Sequence, residues 1–169
     1  YESGQKDMEG YFKEGSMDSS WTGWYENGQV KYKLNYHKNL KHGLATYWFE
    51  NGNPSLEENL ANGLHNGSYK TWLPNGKLSI SGNYSNEQKN GEWLYFGEYG
   101  QKERQEFYEN DRPSGTWTSW HPAGNIKSIQ SFKNGLKNGD MKYFDASGKL
   151  IYHAVFKNDK LKEIVVGQK

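Results

Sequence analysis

Glycine returns every 24 residues along this chain. From Gly139 the step leads back to Gly115, Gly91, Gly67 and Gly43, and a second series, Gly148, Gly124, Gly100, Gly76, Gly52, Gly28 and Gly4, keeps the same interval. A period of this size marks an array of units that cannot bury their apolar faces alone and must stack on one another. Counted from the first glycine series, the chain divides into a partial repeat 1–18, repeats 19–42, 43–66, 67–90, 91–114, 115–138 and 139–162, and a C-terminal cap strand 163–169. The expectation is a single repeat array spanning 1–169.

The unit itself reads as two strands. With the first residue of each unit numbered zero, an aromatic stands at position five of every full unit, namely Trp24, Trp48, Trp72, Phe96, Trp120 and Phe144. Position two adds Trp21, Tyr69, Trp93 and Trp117, and position four adds Tyr47, Tyr95 and Tyr143. Such residues favour strands. In the second half, apolar residues alternate with polar ones, as in Tyr32, Leu56, Ile80 and Tyr152 at position thirteen and Tyr36, Leu60, Tyr84, Tyr108, Phe132 and Phe156 at seventeen. Alternation of period two gives one packed and one wet face. The first strand breaks the alternation between positions four and five, which calls for a bulge or for useful aromatics on both faces.

Asn27-Gly28, Asn51-Gly52 and Asn75-Gly76 lie between the two strands, a pair suited to a type I′ hairpin. In later units only the glycine persists, so a different turn or a bulge is expected there. A second turn, Asn62-Gly63, Asn134-Gly135 or Asn110-Asp111, joins one unit to the next. Two short turns per unit leave no room for a crossover helix, so neighbouring strands must be antiparallel. The fold class is therefore all-β, a single-layer antiparallel meander of tandem 24-residue hairpins. At ~4.8 Å between strands, one unit advances roughly 9–10 Å.

Composition excludes several functions. Only 33% of the chain is hydrophobic, against a typical ~45–50%, and large aromatic rings must do the covering. A net charge of +1 gives no clustered basic footprint for nucleic acid. With no cysteine, disulfides, thiol catalysis and thiolate metal sites are excluded. No apolar run approaches the ~20 residues of a membrane span. The chain opens in mid-repeat at Tyr1, so a signal peptide, a lipid anchor or further repeats are expected upstream, and localisation stays open between cytoplasmic and exported.

No catalytic constellation is present: no G-x-S-x-G elbow, no phosphate loop and no metal-ligand spacing. His37, His42, His65, His121 and His153 read as solvated loop histidines, and Glu103, Glu106, Glu109 and Asp111 as a solvated charged face. No enzyme activity, cofactor or metal is expected. The column Trp24, Trp48, Trp72, Phe96, Trp120 and Phe144 reads first as a ladder of rings stacked between units. Repeat four departs most from its neighbours, with Lys102 and Arg104 at usually apolar positions, Phe107 at a usually polar one, and Pro113-Ser114 in place of Lys-Asn. This reads first as a bend or a tolerated surface. The candidate partner-binding residues are Trp24, Trp48, Trp72, Trp120, Tyr47, Tyr95, Tyr143, Lys102, Arg104 and Phe107.

The run GSYKTWLPNGKL at Gly67 to Leu78, together with FKNGLKNG at Phe132 to Gly139, resembles the MORN repeat family, and more closely its bacterial MORN_2 variant as found in YwqK family antitoxins. The resemblance extends over essentially the full chain. It implies a non-enzymatic protein-interaction or scaffold module, of which an antitoxin-like immunity protein is one form. The partner implied is another protein, with self-association open. An alternative is a carbohydrate or cell-wall binding array, because other short Trp- and Tyr-bearing hairpin repeats serve that role.

Overall fold

A computed structural model describes residues 1–166. Among them the chain forms sixteen strands and no helix. Two compact units divide it, residues 1–88 and residues from 89 onward. The first carries β1 (Met8–Lys13), β2 (Ser16–Trp24), β3 (Val30–His37), β4 (Leu40–Lys41), β5 (Gly43–Trp48), β6 (Pro54–Ala61), β7 (Leu64–Trp72) and β8 (Leu78–Ser85). The two-residue β9 (Gln88–Lys89) stands at the division. The second carries β10 (Gly91–Phe96), β11 (Lys102–Glu109), β12 (Arg112–Trp120), β13 (Ile126–Lys133), β14 (Leu136–Phe144), β15 (Leu150–Lys157) and β16 (Lys160–Val166). In each unit the strands pair antiparallel in chain order as an open single-layer meander, the all-β fold that the two turns per repeat demand. Of the expected cap strand 163–169, residues 163–166 belong to β16, which pairs with β15; residues 167–169 lie outside the described residues.

The type I′ geometry expected within the hairpins is found at the joints between repeats instead. Between the strands of a hairpin, only the glycine takes positive φ, at Gly28, Gly52, Gly76, Gly100, Gly124 and Gly148. The preceding asparagines do not, so Asn27-Gly28, Asn51-Gly52 and Asn75-Gly76 are not type I′ turns. The amide of Gly28 donates to the Tyr25 carbonyl at 2.9 Å and that of Tyr25 to the Gln29 carbonyl at 2.7 Å, a tight turn closed by a left-handed glycine. Asn27 is held there by its own side chain, whose Oδ1 accepts the Gln29 N–H at 2.9 Å, as Asn51 and Asn75 do for Asn53 and Lys77. All six hairpins share this turn. The type I′ signature, positive φ at two consecutive residues, falls instead at the joints: Lys38-Asn39, Asn62-Gly63, Asn86-Glu87, Asn110-Asp111, Asn134-Gly135 and Asn158-Asp159.

Each joint is tied to the one before it. The second joint residue donates its amide to a carbonyl in the preceding repeat, Asn39 to Met17, Glu87 to His65, Asp111 to Lys89 and Asp159 to Lys137, at 2.9–3.0 Å. In the same four places its side chain accepts an amide back from that residue, as Asp111 Oδ1 does from Lys89 at 2.7 Å.

The break in alternation is a bulge. Register shifts between positions four and five in every full repeat, at Gly23/Trp24, Tyr47/Trp48, Thr71/Trp72, Tyr95/Phe96, Ser119/Trp120 and Tyr143/Phe144. Three residues of the second strand then face two of the first. The position-zero residues Ser19, Gly43, Gly67, Gly91, Gly115 and Gly139 all take positive φ, and Gly67 lies inside β7 rather than before it.

Burial selects one face. Every buried side chain occupies position two, thirteen, fifteen or seventeen: Trp21, Ala45, Trp93 and Met141; Ser128; Leu34, Glu58, Glu106 and Ala154; Leu60. In the first unit Trp21, Leu34, Ala45 and Leu60 form the core, with Met17, Tyr32, Tyr36 and Tyr47 packed against it. The ring ladder does not form where it was expected. Among the described residues, no ring of the column Trp24, Trp48, Trp72, Phe96, Trp120 and Phe144 stacks on another. One column repeats every second strand, roughly 9–10 Å apart, whereas ring pairs need centroids ~4.5–7 Å apart. Rings therefore meet across adjacent strands, position two against seventeen: Trp21 and Tyr36 at 6.2 Å, Tyr69 and Tyr84 at 5.4 Å, Trp117 and Phe132 at 4.7 Å.

Candidate functional site

Positions four and thirteen lie directly opposite each other across the hairpin, and side chains there fill the packed face. The pairs are Gly23 with Tyr32, Tyr47 with Leu56, Thr71 with Ile80, Tyr95 with Arg104, Ser119 with Ser128, and Tyr143 with Tyr152. Five of the six contain at least one large side chain. Where the first member is glycine, the Tyr32 ring lies over it so closely that a Cβ on Gly23 would meet the ring at 2.3 Å. Ser119 and Ser128 are both small, and their hydroxyls meet at 2.7 Å.

The consequence is a cavity of about 580 Å³ in the second unit, between β11, β12, β13 and β14. Ser119 and Ser128 line it, with Trp117, Trp120 and Tyr143 as aromatic walls and Arg104 and Lys127 among its charged side chains. Glu103, Glu106, Thr118, Pro122 and Gln130 complete the lining. Arg104 lies over the Tyr95 ring at 4.1 Å and donates from Nη1 to Glu106 Oε1 at 3.0 Å. Glu106 is 5% exposed. Its other oxygen accepts the Tyr108 hydroxyl at 2.9 Å, and burial together with that bond pushes the Tyr108 phenol well above its ordinary value. Lys102 sits 5.3 Å from the Trp120 ring. Trp117 donates its indole N–H to the Phe107 carbonyl at 2.9 Å. A smaller cavity of about 270 Å³ in the first unit is lined by Gln29, Val30, Lys33, Trp48 and Gly52.

The ten candidate residues thus separate. Trp120, Tyr143 and Arg104 line the larger cavity, and Lys102, Tyr95 and Phe107 contact residues that do. Trp48 lines the smaller one. Tyr47 is turned to internal contacts, its hydroxyl accepting Lys41 Nζ at 2.7 Å and its ring 6.4 Å from Tyr32. Trp24 carries Lys6 at 5.3 Å, and Trp72 is half-buried opposite Leu78. Reading down single columns misses Ser119, Ser128, Trp117, Gln130 and Lys127; comparing cross-strand pairs finds the first two.

Three histidines are not solvated loop residues. His65 is clasped on both ring edges, Nε2 2.8 Å from Glu58 and Nδ1 3.0 Å from Glu87, and its amide also donates to Glu87. Burial lowers the His65 pKa, but the bonds to Glu87 and Glu58 and their charges outweigh it, so the net shift is upward from 6.5. The His65 bond in turn lowers Glu87. His153 bonds Asp140 at 2.9 Å, and His121 contacts the Phe144 carbonyl at 3.0 Å. The acidic pair about His65 does not converge on one point, because each carboxylate holds a different nitrogen. Among the described residues no group of three or more His, Asp and Glu is placed to hold a metal ion, and no helix is long and apolar enough to cross a membrane.

No curated protein matches the chain. The family model described as the MORN repeat variant, MORN_2, matches five segments, residues 17–38, 41–62, 66–86, 113–134 and 137–158. Residues 87–112, which supply Glu103, Arg104 and Glu106 to the cavity, lie between the third and fourth matches. With well over half of its residues in these matches and the hairpin repeat visible in its backbone, the chain belongs to the MORN_2 repeat variant family.

Proposed function

We propose that this protein is a non-catalytic interaction module that engages another protein through the cavity of repeats four and five. The observation that carries the reading is the Ser119–Ser128 pair, which opens an aromatic-walled recess in a row that every other repeat fills. Aromatic and arginine side chains around a recess are the usual anchors of protein recognition. The recess also adjoins the one repeat that departs from the family pattern, where a partner-specific surface would be written without disturbing the repeats that hold the fold. In the antitoxin-like form of this reading the partner is a toxin, and binding masks it.

A photo-crosslinking residue at Lys127, on the exposed side of the cavity, tests the reading in cells that make the protein. One discrete covalent protein adduct is expected, lost on Ser119→Tyr and absent when the probe stands at Lys149 instead. Adducts that are identical from both positions, or indifferent to Ser119→Tyr, would overturn it. Binding of a neutral oligosaccharide that Ser119→Tyr abolishes would replace it with the carbohydrate alternative.

A further inference from the structure

We infer that the cavity of repeats four and five takes an aromatic side chain, tyrosine or tryptophan, from an acidic peptide segment of the partner. The inference rests on the proposed interaction function and adds the chemistry of what is bound.

The shape argument comes from the neighbours of Ser119. At the same position in the flanking repeats stand Tyr95 and Tyr143, each with its ring on this row. Tyr95 has a cation on its hydroxyl, Lys89 Nζ at 2.9 Å. One repeat further along, both members of that pair are replaced: serine stands for the tyrosine at 119 in repeat five, and proline for the lysine at 113 at the end of repeat four. What is absent, relative to the two flanking repeats, is thus one phenol ring, with Trp117, Trp120 and Tyr143 still in place around the space. A ring delivered by another chain would restore the row, and about 580 Å³ leaves room for the backbone that carries it.

The polar groups choose between a ring and a sugar. A sugar presents many hydroxyls, each of which must find an unoccupied donor or acceptor. Here the floor is bonded to itself: Ser119 to Ser128, Glu106 to both Arg104 and Tyr108, and Gln130 toward Tyr143. A ring asks for little beyond apolar and π contact. Charge sets the flanks. Arg104 and Lys127 line the cavity against Glu103 and Glu106, both oxygens of Glu106 are already engaged, and Lys102 on the Trp120 ring adds a further cation beside it. The Arg104 side chain remains 52% exposed, which leaves the guanidinium accessible to a carboxylate from outside. Acidic residues beside the ring would complement this surface.

The test is selection of a randomised 12-residue peptide display library on the full chain, followed by titration of fluorescein-labelled peptides from the enriched pool. Enrichment of Tyr or Trp with Asp or Glu within three residues is expected. Ser119→Tyr restores the residue of the flanking repeats and should keep the circular dichroism spectrum while weakening those peptides at least tenfold. Lys127→Glu should also weaken acidic peptides about tenfold without altering the spectrum. A pool without aromatics, a basic pool, no enrichment, or equal binding to Ser119→Tyr would overturn the inference. If a discrete crosslinked partner still depended on Ser119, the interaction function would stand and only its chemistry would be wrong.

Discussion

Truncating Trp21 and Trp72 one at a time asks which aromatic column holds the array together. Both lie in the first unit, Trp21 before the bulge of its repeat and Trp72 after the bulge of its own. Trp21 is 5% exposed, covers Gly10, and meets the rings of Phe12 at 5.1 Å and Tyr36 at 6.2 Å. A buried Trp removes about 200 Å² from water; at about 25 cal/mol per Å², less the part an alanine retains, this amounts to about 4 kcal/mol. The two edge-on ring contacts add about 1 kcal/mol together. Trp21→Ala should therefore cost about 5 kcal/mol, at the upper end of the range for large-to-small core changes. Trp72 is half-buried and stacks on no other ring of its column. With part of its area already wet and no ring pair to lose, Trp72→Ala should cost about 3 kcal/mol. The difference of about 2 kcal/mol corresponds to roughly 1 M in the urea midpoint for a slope of about 2 kcal/mol/M. Urea unfolding followed by circular dichroism reads it without relying on the mutated fluorophore. If Trp72→Ala lowered the midpoint as much as Trp21→Ala, the position-five column would be the core, and the assignment of packing to positions two and seventeen would fail.

Three further outcomes are expected. The raised His65 contributes stability that is complete below its unfolded value of 6.5 and lost as pH rises through its folded value, while the lowered Glu87 contributes stability complete above 4.5 and lost as pH falls through its own. The thermal midpoint of the wild type relative to His65→Asn should be highest between pH 4.5 and 6.5 and decline on both sides; a flat difference from pH 4 to 8 would refute the clasp. Ser19 holds a left-handed φ of 61° where the other five repeats have glycine, so Ser19→Gly should raise stability by about 1 kcal/mol; a loss in chemical denaturation would contradict the backbone reading. Asp111→Ala removes the acceptor of the Lys89 amide and should cost about 1 kcal/mol, whereas Asp111→Asn should be nearly neutral, because Asn39 makes the same bond to Met17; equal losses would refute the joint-to-joint tie.

Much of the fold is legible in the sequence because it is written in local chemistry. The 24-residue period, the strand alternation and the positions of both turns follow from glycine and aromatic spacing alone. Turn type was less accessible. Asn27-Gly28 has the residues of a type I′ turn, but only Gly28 enters the left-handed region, and Ala123-Gly124 closes in the same way, so the turn is set by the strands it joins and the Asn27 bond to the Gln29 amide only supports it. Columns are also a poor guide to contact, since the same position recurs two strands away; Trp21 touches Tyr36 of the next strand, not its counterpart in the next repeat. The site was half legible. Lys102 and Arg104 mark the departure of repeat four, but the cavity comes from what is small, Ser119 and Ser128, and smallness at one position means nothing until its cross-strand partner is known. The Glu58–His65–Glu87 clasp joins residues 7 and 22 positions apart through the sheet and a joint, a combination that no linear motif encodes.

The ties between joints make length in this protein a quantity that comes in whole steps. A residue inserted within a strand between the tied joints would move Asp159 out of reach of Lys137 or Asp111 out of reach of Lys89, and the rest of that strand would present its wet face to the packed side. Insertion or deletion of one entire 24-residue block would leave each remaining tie with a partner at the same spacing. The chain is thus brittle toward small changes in length and tolerant of large ones of the right size, so a feature such as the cavity of repeats four and five can be duplicated, moved or discarded as a cassette without the rest of the sheet being rewritten.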